Sequence, residues 1–95
     1  MSKKRKLLKK ALSGSKNFHF DDLILLLEAF GFVLKRISGS HHIYKHPSVP
    51  DLLSIQPAEN GQAKPYQIRQ FLKLTEEYNL NFEEDNSEID EDEEA

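Results

Sequence analysis

The chain's 95 residues hold 13 Lys and Arg against 16 Asp and Glu, a formal net charge of −3, and no cysteine. That length suits one domain, and the missing cysteine excludes disulfide frameworks, thiolate metal sites and thiol nucleophiles. The charge is segregated: residues 1–10 carry six cations and no acid, and residues 83–95 carry nine acids and no cation, so residues 1–82 alone stand at +6.

The longest apolar run, Leu23–Leu27, is far too short to cross a membrane. The basic first residues lack the apolar core of a signal peptide. The expectation is a cytoplasmic protein without membrane contact. The charge pattern divides the chain into a basic helix and linker over 1–17, a domain over 18–82 and an acidic tail over 83–95.

In chain order, Leu7, Leu8, Ala11 and Leu12 recur at helical spacing and Gly14 stands where a helix would stop. The spacing predicts a short amphipathic helix over 3–12 with a narrow apolar stripe. Leu23, Leu26, Leu27 and Phe30 fall at i, i+3, i+4 and i+7, one buried face of a second helix over about 21–30. Asp21 or Asp22 is expected to cap its start and Gly31 to end it.

Three strands are expected next: Phe32–Ser38, His41–His46 up to Pro47, and Leu52–Gln56 after a loop over Ser48–Asp51. Pro65, a good first helical residue, opens the last helix, with Ile68, Phe71 and Leu72 on its buried face. The order α-α-β-β-β-α points to an α+β two-layer sandwich with an antiparallel meander. Residues 83–95 offer only Ile89 as a large apolar side chain and are expected to be disordered, either as a solubilising tail that touches nothing or as a weak competitive brake on phosphate binding by the basic body.

The densest chemistry lies at Gly39-Ser40-His41-His42-Ile43-Tyr44-Lys45-His46-Pro47, with Lys35-Arg36 just upstream. On a strand, His42 and His46 share a face but stand about 13 Å apart, and His41 points the other way. A single metal needs its donors within ~2.1 Å, so these three histidines cannot chelate one ion by themselves. RNA backbone cleavage suits the same residues. It needs a base for the 2′-hydroxyl proton, an acid for the leaving oxygen, and cations for the phosphate.

Imidazole serves both proton roles near neutral pH, and Arg36, Lys35 and Lys45 offer the positive charge. Arg69 and Lys73, at i and i+4 of the last helix, form a second small basic ridge. The plainer reading is a half-polar strand with solvated histidines. Alternation sets His41, Ile43 and Lys45 against His42, Tyr44 and His46, and Ile43 and Tyr44 compete for the inward side.

Ala29-Phe30-Gly31-Phe32, Arg36, Gly39-Ser40-His41-His42 and His46-Pro47, with Tyr66–Leu72 in the last helix, resemble the HicA toxin family, also called YcfA-like. The resemblance covers about residues 21–80. It implies a double-stranded-RNA-binding-domain-like α-β-β-β-α fold, extended here by an N-terminal helix. It also implies a toxin that cleaves mRNA without metal or cofactor and is inhibited by a HicB-type antitoxin.

The histidine after Gly-Ser, His41, is the implied catalytic residue. Arg36, Lys35, Ser40, Lys45, Arg69 and Lys73 are the expected RNA contacts. Where many relatives have Pro-His after the third strand, this chain has Pro57-Ala58. Two other functions stay open: a non-catalytic RNA-binding module of the same fold, and an interaction protein whose charged ends recruit partners.

Overall fold

A computed structural model describes residues 3–14 and 17–81; the acidic tail, including the expected disorder and brake, lies outside the described residues. The elements are α1 (Lys3–Leu12), α2 (Phe20–Ala29), β1 (Val33–Ser38), β2 (His41–His46), β3 (Val49–Ile55) and α3 (Pro65–Glu77). The expected α+β order is observed. The three strands form one antiparallel sheet in the order β1-β2-β3, with α2 and α3 against one face.

Leu7 and Ala11 of α1 are buried, while Leu12 is exposed. The narrow stripe therefore docks α1 at the margin of the domain, and Gly14 ends it with a φ of 79°. On α2, Leu23, Leu26, Leu27 and the following Phe30 are all buried, as their spacing requires.

The cap differs from expectation. His19 takes the N-cap position without a side-chain cap bond, and Asp21 and Asp22 lie in the first turn. The reason is that the chain just before α2, extended at His19, bridges to Gln62 in the loop before α3. The Phe20 N–H donates to the Gly61 carbonyl at 3.1 Å, and the Ala63 N–H to the Phe18 carbonyl at 2.6 Å. This pairing fixes the chain's entry into α2, and the two carboxylates act on the helix dipole instead.

The third strand also starts earlier than its sequence suggests. Pro47 and Ser48 alone make the turn, and β3 runs through Pro50. Proline is tolerated there because β3 lies at a sheet edge, where an outward N–H is dispensable. Tyr44, Leu53 and Ile55 point inward and meet Leu23, Leu26, Leu27 and Phe71 in one core. Phe30 and Phe32 flank Phe71 edge-on, with centroids 5.4 and 6.1 Å away.

Candidate functional site

Burial of Tyr44 rather than Ile43 settles the alternation of β2. His42, Tyr44 and His46 face the helices; His41, Ile43 and Lys45 face outward. Strand pairing carries the same division across the sheet. Arg36 lies opposite Ile43, Val33 opposite Lys45, and Ser38 opposite His41, so all six share the outer face. Arg36 is thus diagonal to His41, about 7 Å along the strand direction, whereas Lys45 is about 13 Å from it. A bulge between Leu34 and Arg36 leaves Lys35 as the extra residue of β1.

Arg36, Lys35, Ser40, His41 and Lys45 are all exposed. Arg69 and Lys73 are exposed too but lie elsewhere. They border a depression of about 550 Å³ between α1 and α3, together with Leu8, Leu12 and Leu72. The expected RNA contacts therefore divide into an outer sheet face and a separate helical groove.

The inward histidines are held in place, each differently. The His46 Nε2 lies 2.9 Å from the Phe30 carbonyl, and the Ser48 N–H donates to its Nδ1 at 2.9 Å. Its ring meets Phe32 at 5.0 Å. Gly31, with a φ of 94°, leaves room for that ring, since a Cβ there would stand 3.0 Å from the His46 Nε2. The separated sequence motifs Gly31-Phe32 and His46-Pro47 are one packing unit. Both nitrogens of His46 are engaged, which leaves it a structural role.

His42 is half-buried, its ring edge-on to Phe20 at 5.1 Å and its Nδ1 3.3 Å from the Ser40 carbonyl. With Nδ1 donating to that carbonyl, Nε2 is the basic nitrogen. Beside it a polar chain crosses from the β1–β2 turn to α3. The Ser40 hydroxyl donates to Gln56 Oε1 at 3.4 Å, the Gln56 N–H to Gln67 Oε1 at 3.2 Å, and Gln67 Nε2 to the Tyr66 hydroxyl at 3.2 Å.

Gln67 is buried, and the sequence reading missed it and Gln56. Its only signal was a polar side chain next to Ile68 on the inward arc of α3. Gln56 and Lys64 line an open depression of about 590 Å³ beside this end of the sheet. Burial, and secondarily the charge of Glu28, pushes the Tyr44 phenol above its ordinary pKa. Among the described residues no three His, Asp or Glu side chains gather as a metal-binding group, and no helix is long and apolar enough to cross a membrane.

The arrangement can present an imidazole beside fixed positive charge at an open surface. No curated protein and no solved structure matches the chain. The family model described as the HicA toxin of bacterial toxin–antitoxin systems matches residues 20–76, α2 through nearly all of α3 and more than half of the chain. The chain belongs to the HicA toxin family.

Proposed function

We propose that this chain is a metal-independent endoribonuclease toxin that cleaves mRNA and is neutralised by a HicB-type antitoxin. The observation that carries this reading is the shared outer face of His41, Arg36 and Lys45. An imidazole at His41 takes the 2′-hydroxyl proton as O2′ attacks phosphorus. The bond from phosphorus to O5′ breaks, and a proton returns to that oxygen. Arg36 stabilises the charge that grows on the phosphate oxygens, and Lys45, Lys35 and Ser40 hold neighbouring parts of the backbone. The site needs no deep pocket, which suits a domain this small. Arg69 and Lys73 act in this reading as remote backbone contacts.

A second placement of the proton carrier rests on a specific observation. His42 is the histidine whose ring is oriented, by Phe20 and the Ser40 carbonyl, with Nε2 as its basic nitrogen. On that placement the hairpin end with Ser40 and Gln56 receives the phosphate. His41 and His42 point to opposite faces, so one phosphate cannot use both.

Incubating a defined mRNA with the protein in excess chelator tests both placements. Wild type should cleave, and His41→Ala should lose about 10²–10⁴-fold in rate while His42→Ala retains activity. The reverse pattern moves the site to the hairpin end. RNA bound but left intact by all three proteins would leave a binding module and end the enzyme reading.

A further inference from the structure

The two edges of the sheet are unlike. The β3 edge carries Pro50 and Asp51 and lies beside α3. Among the described residues nothing pairs with the outer side of β1, and all six of its residues are exposed. Val33, Leu34 and Ile37 are 55, 42 and 54 % exposed, an unusual amount of apolar side chain for one short strand. A strand with one neighbour also presents unpaired N–H and C=O groups along its free side.

We propose that β1 is a docking edge for an extended protein strand whose residues alternate between apolar and acidic. Pairing assigns the two faces of such a strand. Leu34 and Ile37 share the inner face with Tyr44 and His42, so the incoming strand sets apolar side chains there. Arg36 lies on the outer face with Lys45 and His41, so acidic side chains go there. The sequence from Val33 to His46 contains three Lys or Arg and three His residues but no acid to compete for them.

A second copy of this chain is the wrong partner. Antiparallel pairing of β1 with itself in full overlap puts Lys35 opposite Arg36 and Arg36 opposite Lys35, and like charges directly opposite destabilise a ladder. The bulge and Lys35 guard the edge against copies of itself while admitting an acidic strand. RNA is also a poor fit to this edge, because it cannot extend a β-ladder and gains little from Val33 or Ile37. Strand addition of this kind draws affinity from main-chain bonds and specificity from alternate side chains. Its acidic side chains would also neutralise Arg36 beside His41, which blocks the RNA face; that consequence alone rests on the ribonuclease reading.

The test uses the full chain, isotopically labelled, and a synthetic peptide of alternating glutamate and valine. Amide shifts should concentrate at residues 33–38, and hydrogen exchange of β1 amides should slow at least tenfold. Ile37→Lys, at an exposed position, should weaken the response at least tenfold with an unchanged circular dichroism spectrum. A valine–lysine peptide, and a scrambled glutamate–valine peptide, should give no exchange protection. The proposal is overturned by silence of β1 at millimolar peptide, by equal protection from either control, by β1-mediated dimers of the free protein, or by the same β1 protection from a short RNA. No readout involves RNA cleavage, so an inactive protein leaves the proposal standing.

Discussion

Inside the sheet, His46 is fixed by a carbonyl, a backbone N–H and the Phe32 ring, whereas His41, five residues earlier on the same strand, projects from the opposite face. The inner face is close-packed around Tyr44, Leu53, Ile55 and Phe71; the outer face shows cations and isolated apolar groups to solvent. Residue type alone therefore says little about role on this strand. Packing retains His46, and on the proposed reading the proton transfer falls to His41 or to the half-buried His42.

Truncation should separate the faces most sharply. Leu26, fully buried between α2 and the sheet, should cost about 2–5 kcal/mol on Leu26→Ala in denaturant unfolding. Leu52→Ala on the outer face should stay within about 0.5 kcal/mol. Comparable losses at both positions would break the distinction between faces.

The unit formed by Gly31 and His46 comes next. Gly31→Ala adds a Cβ at a positive φ and against the His46 ring, and should destabilise by about 1–3 kcal/mol. His46→Ala removes both hydrogen bonds and should fall in a similar range. The double variant should cost less than the sum, because each change relieves the other.

Tyr44 predicts a smaller, pH-dependent effect. Its phenol is held above the unfolded value of about 10, first by burial and then by Glu28, so the folded state keeps this proton more tightly. That stability is complete below the unfolded value and is lost as pH rises through the folded one. Alkaline unfolding of wild type should therefore steepen above about pH 10, and Tyr44→Phe should remove part of the slope.

On the outer face, Arg36→Ala and Lys45→Ala should leave unfolding midpoints nearly unchanged. Each should lower the slope of log affinity for RNA against log salt by about one, as a lost phosphate contact does. Arg69→Ala, in the separate groove between α1 and α3, gives the comparison. If it alone changes the slope, RNA lies on the helices.

Much of this division was legible in the sequence, and the gaps have physical causes. Leu23, Leu26, Leu27 and Phe30 announce their helix because one buried face imposes its period. The sides of β2 could not be told apart, since Ile43 and Tyr44 are both apolar and adjacent; only Leu53 and Ile55 across the ladder decide for Tyr44. The start of β3 was hidden by Pro50, which reads as a loop until the strand is known to be an edge. The cap of α2 was misassigned because pairing with residues 61–63 outweighs a local side-chain bond. Gln67 was invisible as a site element, because its value depends on Gln56 and Ser40, which only the fold brings near.

The most direct test of the account is chelator-treated cleavage of a defined mRNA by wild type and by the variant lacking both imidazoles, His41→Ala with His42→Ala. Retention of helix and strand content in the variant is checked by circular dichroism. The account predicts cleavage by wild type and a loss of at least about 100-fold in the folded variant. A folded variant that cleaves at the wild-type rate, or a wild type that leaves the RNA intact, would contradict it.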